Sequence, residues 1–515
     1  MGVANTIAKN SIFSFITTAF NTLAIFVVGI LLARHFGAEQ YGLYSFMMWL
    51  LSTAGLVVDL GMGEMTRRFV AEATGKQNLN MAKGIAQMAL AVRGLAAILT
   101  ALLIILLSSQ LARLYHIPSN HTSFILIASA ILPYTLVSIL ASVFNGFQKY
   151  EYSTIMELVS SLLRMVLIII LVFLGTGVEG VLSTYVALYA LGFLVGLIIL
   201  RRLMSVRHLL SPRLLESKIR KSAIKYSVAA LGITGVDYFL WGQAEIMFLA
   251  RYWPVEEVGF YSIAHKIPIM AISLIPFVFG RVLMPAVAEQ FGKGDMEKIK
   301  RIFVTSARYL MILSLPIAAA GISLAKPIIN VLFGAEYTPA IVIMQIAFIP
   351  FAVRGLTHAV SSIIYGIKEP SYILKIGVFL IVLSVGLNLW LIPKYGALGA
   401  VIATSVPRVI SLPLYIRFVS RKIGASWPLG DTFKTVAAAV ILGLVVFVIQ
   451  YYLDGIPSLA VSIPVGIFVY VLALLALRVV NREDFTLFKG AQNIVPAPLR
   501  KTYIALLTTM QRVAR

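Results

Sequence analysis

The sequence predicts an all-α polytopic membrane protein with about fourteen transmembrane helices, arranged as two parallel-repeat six-helix lobes plus two C-terminal helices. Apolar residues make up 60% of the chain and charged residues only 12%, about half of the roughly 25% found in soluble proteins. Apolar runs of about twenty residues, the length that crosses a hydrocarbon core of about 30 Å, recur from end to end. Motifs of the first half also reappear in the second.

Each predicted span is an apolar run bounded by polar connectors. No cleavable signal is expected, because the first run is too long for the core of a signal peptide. The chain has no cysteine, which excludes disulfides, thiolate metal sites and cysteine nucleophiles. The predicted spans are residues 11–33, 41–62, 83–108, 122–145, 152–174, 180–200, 223–250, 258–284, 301–325, 340–364, 372–392, 396–416, 435–453 and 458–477.

The placement of charge predicts the orientation in the membrane. The formal net charge is +22, and 30 of the 43 Lys and Arg residues fall in one alternating set of connectors and the two termini. The other set of connectors holds only 5. Lys and Arg collect in cytoplasmic connectors. We therefore expect a multi-pass cell (plasma) membrane protein with both termini in the cytoplasm, and the basic charge is no sign of nucleic-acid binding.

Short motifs recur in the two halves at a nearly constant offset. The tetrapeptide GLYS at 42–45 returns as GFYS at 259–262. Ser142, Gly146 and Tyr152 return together as Ser362, Gly366 and Tyr372, at nearly the same offset. Each unit holds six spans, an even number, so both units enter from the same face and the repeat is parallel.

The repeat sets the expected domain organisation. An N-lobe covers 1–200, a basic cytoplasmic linker 201–222, a C-lobe 223–418, spans thirteen and fourteen 432–478, and a basic cytoplasmic tail 479–515. Two bundles related in this way are an architecture for alternating access, with the substrate site between them. A duplicated scaffold that moves nothing is the competing interpretation. The charges inside the spans argue against it, because a scaffold has little reason to keep them.

Three segments resemble a known family. The sequence LARHFGAEQYGLY at 32–44 resembles the first-to-second helix junction of the polysaccharide-transport family, and LFGAEY at 332–337 and PKYGALGA at 393–400 resemble two further signatures. The family includes Wzx-type oligosaccharide flippases, within the multidrug/oligosaccharidyl-lipid/polysaccharide flippase superfamily. The resemblance implies a V-shaped pair of lobes that moves polyprenyl-(pyro)phosphate-linked oligosaccharide to the outer leaflet. We expect a monomer without a cofactor, in contact with membrane lipids.

Twelve Lys, Arg, Asp and Glu residues lie inside the predicted spans, apart from Lys83, Lys225 and Arg301 at span ends, which count with the connectors. Each costs about 2.5–3.5 kcal/mol on insertion scales. Cations outnumber acids by eight to four. A positive interior suits a phosphate or pyrophosphate, which Arg can bind through two parallel hydrogen bonds. The candidate substrate-binding residues are Arg93, Arg164, Lys266, Arg354, His358 and Arg408.

Local context distinguishes these candidates. Arg354 and His358 share one helical face and follow Pro350, which can break the helix as in transporter sites. Arg164 has Glu157 seven residues before it, so a local ion pair competes with a substrate contact. The other acid with a structural alternative is Asp59, for which the sequence favours a salt bridge to Arg67 or Arg68.

A carboxylate that can be neutralised inside the membrane would couple transport to a Na⁺ or H⁺ gradient. Asp237 and Glu245 lie eight residues apart on predicted span seven, nearly on the same helical face. Both are candidates for ion coupling. Pairing with Lys266 or another cation is the alternative interpretation.

Two other functions stay open at this stage. A multidrug-extrusion-type cation antiporter should have an acidic and aromatic site, which the cationic surplus disfavours. A membrane enzyme of polysaccharide assembly usually carries a large outer loop with catalytic residues. The outer connectors here are short, and no nucleotide-binding loop, metal-ligand cluster or nucleophile elbow is found in the sequence. We therefore expect a transporter and not an enzyme.

Overall fold

The computed structural model describes residues 3–117, 121–203 and 216–480, with side chains described except at 3–12, 14, 15, 202, 203 and 273–282. Most of the predicted linker at 201–222 and of the predicted tail at 479–515 therefore lies outside the described residues. The described chain is helical apart from short turns. The prediction of an all-α protein is confirmed.

Sixteen α-helices follow one another in the described residues. The first seven are α1 (Val3–Asp59), α2 (Met62–Gly75), α3 (Leu79–Leu106), α4 (Ser108–Leu114), α5 (His121–Gly146), α6 (Tyr150–Phe173) and α7 (Val178–Leu203). The others are α8 (Ser217–Trp241), α9 (Glu245–Tyr252), α10 (Val255–Gly292), α11 (Met296–Ser323), α12 (Ala325–Leu332), α13 (Ala340–Gly366), α14 (Pro370–Ile423), α15 (Leu429–Tyr452) and α16 (Gly455–Ala476). Ten helices of this described part are long and apolar enough to cross a membrane.

Two of these ten helices each join two predicted spans. The first, α1, continues through the connector expected between spans one and two, and α14 continues through the connector expected between spans eleven and twelve. Each departs from helical geometry at one glycine, Gly37 (φ 72, ψ 179) and Gly396 (φ 55, ψ −133). Glycine adopts positive φ readily because it lacks a Cβ. The expected connectors are therefore kinks, and the ten helices contain twelve of the predicted spans.

Span seven, predicted as one helix over 223–250, is broken into two. The first part, α8, ends at Trp241, and α9 begins at Glu245. Gly242 between them is extended (φ −73, ψ −163), and its N–H donates to the Tyr238 carbonyl at 2.8 Å. Glycine costs about 1 kcal/mol relative to Ala inside a helix, so an interruption is favoured there. Span eight corresponds to α10.

The described helices pack as two compact units. The first comprises Met1–Ile263 and Ile381–Thr404, and the second comprises Ala264–Leu380 and Ser405–Arg515. In the first unit, one buried core joins apolar side chains of α2, α3 and α5. In the second, a comparable core joins α11, α13 and the end of α14. Many large apolar side chains remain on the outside, as lipid-facing surfaces require.

One pair of helices, α3 and α11, follows the offset that relates GLYS at 42–45 to GFYS at 259–262. The helix α3 begins one residue after Asn78, and α11 begins one residue after Asp295, its equivalent. Asn78 accepts a hydrogen bond from the Met81 N–H at 2.9 Å, and Asp295 accepts one from the Lys298 N–H at 3.0 Å. Each bond satisfies a donor that the first helical turn leaves unpaired. The sequence duplication thus extends to the way in which equivalent helices begin.

Two equivalent glycines bring the backbones of α1 and α10 into contact within the first unit. A Cβ at Gly42 would lie 1.9 Å from the carbonyl oxygen of Val255, and a Cβ at Gly259 would lie 2.7 Å from that of Ala38. Ala38 and Val255 are themselves equivalent, at the same offset as the two glycines. The contact is therefore reciprocal, which is what a rotation exchanging the repeats about an axis through this crossing would produce. Small residues permit such close approach of membrane helices.

We predict that Gly42→Ala and Gly259→Ala lower the melting temperature, because the added Cβ atoms force the two backbones apart. Overpacking of this kind costs about 1–3 kcal/mol. Gly94→Ala is the control, since a Cβ there meets no atom within 4 Å. Thermal unfolding of the detergent-purified protein, followed by tryptophan fluorescence, measures the difference. Equal melting temperatures for Gly42→Ala and Gly94→Ala would contradict the proposed crossing.

A buried ion pair joins the end of α1 to the middle of α3. The Nη1 atom of Arg93 lies 3.1 Å from Oδ1 of Asp59, and Arg93 is only 2% exposed. The sequence placed Asp59 with Arg67 or Arg68 instead. That prediction was wrong, since Arg67 pairs with Glu64 on its own helix at 3.2 Å. The folding of α3 back along α1 supplies the partner, and proximity in the sequence does not reveal it.

We predict that Asp59→Asn destabilises the protein, because it leaves the Arg93 charge buried without compensation. Removing one partner of a buried pair costs about 3–5 kcal/mol. We expect the double variant Asp59→Asn, Arg93→Met to recover most of that stability. Glu64→Gln is the control, because an exposed pair contributes about 0–1 kcal/mol. The same thermal assay applies, and a double variant no more stable than Asp59→Asn would show that the pair is not the cause.

Candidate functional site

A polar cleft of about 360 Å³ lies within the first unit, among α1, α2, α5, α6 and α7. Polar side chains in membrane helices are costly, so those that line a shared cavity are candidates for function. The polar residues that line it are Asn21, Arg67, Tyr134, Ser138, Ser142, Asn145, Ser153, Glu157, Ser160, Ser161, Arg164 and Tyr189. Of these, the sequence had predicted only Arg164 as a site residue.

Arg164 is held in this cleft by neutral groups. Its Nη2 donates to Oδ1 of Asn21 at 2.8 Å and to Oγ of Ser161 at 3.1 Å, and the Ser161 hydroxyl also donates to Asn21 Oδ1 at 2.9 Å. The guanidinium lies 5.9 Å from the ring centre of Tyr185. Among the described residues no ion pair joins Arg164 to Glu157, the alternative that the sequence left open. Glu157 lines the same cleft with its side chain exposed.

Tyrosine rings form one wall of the cleft. The ring centres of Tyr134 and Tyr189 lie 5.0 Å apart at 57°, and those of Tyr185 and Tyr189 lie 6.1 Å apart. The Tyr185 hydroxyl in turn shares a hydrogen bond of 2.7 Å with that of Tyr44. Tilted aromatic pairs at these distances are stabilising. The sequence did not single out these rings, because 22 tyrosines are spread along the chain and only the packing of α5 against α7 brings two of them together.

The second unit contains a buried basic cluster. Nη1 of Arg408 lies 3.2 Å from Nε2 of His265, and these side chains are 2% and 1% exposed. Both contact Phe351, whose ring centre lies 5.0 Å from that of His265 and 5.7 Å from the Arg408 guanidinium carbon. Arginine has only donors, so Nε2 must accept and the imidazole is neutral with its proton on Nδ1. Arg354 is close enough to interact electrostatically with the same ring.

The structure places the predicted cations in different environments. Arg408 is buried, Arg354 and Lys266 are half-buried, and His358 is exposed. Pro350 does not break its helix, because α13 runs unbroken from Ala340 to Gly366, so the expectation of a broken helix there was wrong. In the first unit, Arg93 is occupied by Asp59 as described above. A substrate contact for each of these cations stays a prediction.

The two acids of span seven do not share a face. Asp237 is exposed near the end of α8, whereas Glu245 is 0% exposed in the first turn of α9. The interruption at Gly242 separates the helices and removes the expected register. The Tyr261 hydroxyl, from α10, donates a hydrogen bond to Oε1 of Glu245. The prediction that these acids lie nearly on one helical face was wrong, because it assumed a continuous helix.

Solved structures of similar fold are transporters. The structure of lipid II flippase MurJ in an inward closed conformation matches with a TM-score of 0.69 and 15% identity, over 90% of this chain and 97% of that one. An inward-facing multidrug resistance MATE family transporter of the MOP superfamily matches with a TM-score of 0.65 and 16% identity, over 78% of this chain and 94% of that one. This likeness establishes the fold.

Several curated relatives are similar in sequence. A probable low-salt glycan biosynthesis flippase of Haloferax volcanii is 20% identical over 53% of this chain and 56% of its own length. The match thus spans about half of that relative. A putative O-antigen transporter of Shigella flexneri is 22% identical over 80% of this chain and 97% of its own length. An uncharacterized membrane protein of Methanocaldococcus jannaschii is 22% identical over 88% of this chain and 92% of its own length.

A family model supports the assignment that the motifs at 32–44 and 332–337 indicated. The model described as polysaccharide biosynthesis protein matches residues 31–342, which is more than half of the chain. The matched region includes the kink at Gly37, the polar cleft apart from Asn21, the broken span seven and the glycine crossing. The chain therefore belongs to the polysaccharide biosynthesis protein family.

Proposed function

We propose that this chain translocates a polyprenyl-(pyro)phosphate-linked oligosaccharide from the cytoplasmic to the outer leaflet by alternating access. The observation that carries the proposal is the surplus of cations over carboxylates inside the predicted spans, eight against four. Arg408, for example, is 2% exposed, and its Nη1 lies 3.2 Å from Nε2 of His265. Such guanidinium groups suit a phosphate or pyrophosphate, which they can bind through two hydrogen bonds.

The names of two relatives support this function. One is a probable glycan biosynthesis flippase and another is a putative O-antigen transporter. The fold supports a transport role without catalysis, because both structural neighbours described above are transporters. We further propose a monomer in the cell membrane, surrounded by lipid, with both termini in the cytoplasm as the distribution of Lys and Arg indicates.

Export of organic cations is the second candidate function. The structural likeness to multidrug transporters favours it, as does the exposed carboxylate of Glu157 in an aromatic-walled cleft. However, the same cleft contains Arg164 and Arg67, which would repel a cationic drug. Helix α1 contributes the neutral Asn21 to the cleft. The electrostatics of the cleft therefore favour an anionic, hydroxyl-rich substrate.

We predict that Arg354→Ala abolishes translocation of lipid-linked oligosaccharide, while Arg354→Lys retains part of it. A lysine keeps the charge but loses the two-pronged geometry that binds a phosphate. The assay uses proteoliposomes with a fluorescent lipid-linked oligosaccharide, in which an impermeant quencher reports the fraction in the outer leaflet. Arg113→Ala is the matched control, because within the described part of the chain this exposed arginine bonds only to its own helix, at the Ser109 carbonyl.

The outcome that would contradict the phosphate-binding proposal involves the five Lys and Arg residues among the predicted substrate-binding residues. If alanine at Arg93, Arg164, Lys266, Arg354 and Arg408 each left translocation intact at normal protein levels, none of these charges would be needed. Efflux of an organic cation by the same proteoliposomes, with no effect on the lipid, would favour the second candidate.

We also propose that an ion gradient drives transport through Glu245. The carboxylate is fully buried, and the half-helix α9 begins at it, so its charge interacts favourably with the positive end of the helix. A buried carboxylate can bind a proton or contribute an oxygen to a Na⁺ site. Comparison of the two repeats supports a functional role for Glu245. Tyr261 has an equivalent in Tyr44, but the position equivalent to Glu245 is Val28, so the fold does not require the acid.

We predict that Glu245→Gln transports the lipid only down its own gradient, because the amide cannot gain or lose a charge. Asp237→Asn is the comparison within the same span, and we expect it to keep gradient-driven transport because Asp237 is exposed. Translocation is measured with and without an imposed Na⁺ or H⁺ gradient. If Glu245→Gln responds to the gradient as the native protein does, the coupling group lies elsewhere.

A further inference from the structure

The polar cleft of the first unit has more hydrogen-bonding groups than an anion needs. Besides Arg164 it offers hydroxyl, carboxamide, carboxylate and phenol groups. A phosphate has only acceptor oxygens, so Glu157 and the serine lone pairs would not contribute to binding it. A sugar ring carries hydroxyls that both donate and accept, and it matches a mixed lining. The volume of about 360 Å³ falls within the range of about 300–1,000 Å³ for small-molecule sites.

The second repeat shows that the fold does not require this chemistry. At the offset that relates Tyr152 to Tyr372, Glu157 corresponds to Gly377, and the pair of serines at 160 and 161 corresponds to a leucine and an isoleucine at 380 and 381. The equivalent helix segment of α14 forms without these polar groups. Polar side chains inside the membrane cost free energy. Their concentration in only one of two equivalent positions therefore points to a ligand of the first repeat.

The cleft is organised in advance of binding. Oδ1 of Asn21 accepts from both Ser161 and Arg164, which fixes the orientation of the amide. Its Nδ2 hydrogens have no acceptor among the described residues. The Nε atom of Arg164 is buried and likewise lacks an acceptor within this described part. These donors are already held in place. Their side chains would therefore lose little conformational entropy when a ligand oxygen binds to them.

The tyrosine wall suits the other property of a sugar. A pyranose ring has apolar C–H faces as well as polar edges, and aromatic rings provide flat apolar surface together with a hydroxyl. Tyr134 and Tyr189 stand beside each other on the cleft wall. At the offset that relates Tyr152 to Tyr372, the equivalent of Tyr134 is Arg354 and that of Ser138 is His358. The same helix face is thus aromatic and hydroxylated in the first repeat, and basic in the second.

We propose that this cleft is a sugar-binding subsite, which takes one pyranose residue of the lipid-linked glycan. The proposal rests on the proposed function and narrows it. Asn21, Ser161 and Arg164 bind the ring hydroxyls, and Tyr189 packs against its face. The subsite makes the protein distinguish a lipid that carries its glycan from the bare polyprenyl pyrophosphate.

The test compares two classes of lipid on the full-length protein in nanodiscs. The probes are a fluorescent polyprenyl pyrophosphate and a panel of the same lipid bearing one hexose or N-acetylhexosamine. We expect the native protein to bind at least one sugar-bearing lipid about tenfold more tightly than the bare lipid. We expect Asn21→Ala and Ser161→Ala to remove most of that preference, since one good hydrogen bond accounts for about five- to tenfold in affinity. Their affinity for the bare lipid should not change.

Ser183→Ala is the matched control, because it removes an exposed hydroxyl that, among the described residues, bonds only to its own helix, at the Gly180 carbonyl. It should leave both affinities unchanged. Equal binding of bare and sugar-bearing lipids by the native protein would overturn the subsite. An equal loss of affinity for both lipids in the variants would also overturn it. That result would mean that the cleft binds the phosphate or only stabilises the fold. Either result leaves the translocation assay unaffected, so failure of the subsite is distinguishable from failure of the proposed function.

Discussion

Hydrocarbon offers neither hydrogen-bond partners nor solvation for charge, and this constraint governs the molecule. Every backbone polar group in the membrane must be satisfied within the protein, which favours helices throughout. Bends are then possible only where the backbone tolerates them. In α1 and α14 the bends occur at Gly37 and Gly396, both with positive φ. A charge must also find a partner, and the burial of Arg93 depends on Asp59, which lies on a different helix.

The same constraint makes the exceptions informative. A helix interruption at Gly242 places the buried Glu245 at the beginning of α9, where the hydroxyl of Tyr261 donates to it. Carboxylates are costly in the membrane unless they are paired or serve a function. The corresponding position of the first repeat is the apolar Val28. One copy of the duplicated fold therefore carries a titratable group that the other copy does without.

The two repeats have diverged in chemistry while keeping part of a common helical frame. The N-caps Asn78 and Asp295 begin equivalent helices in the same way, and Gly42 and Gly259 make reciprocal contacts. Around this common frame, the first repeat gathers serines, an asparagine and tyrosines about Arg164. The second places Arg408 against His265 and Phe351. A lipid-linked glycan has both a hydroxyl-rich part and an anionic part, and a duplicated protein can evolve a separate site for each.

The sequence by itself determined the helical class, the spans and the duplication, because hydrophobic length and motif spacing are properties of neighbouring residues. It also singled out Arg164, Arg354 and Arg408, since any charge within an apolar run is conspicuous. Only the tertiary structure decided which groups meet. Asp59 pairs with Arg93 on another helix, and Asn21 near the start of the chain reaches Arg164 on α6. Serines, asparagines and tyrosines are common in membrane helices, so their convergence on one cleft follows from helix packing and not from any local pattern.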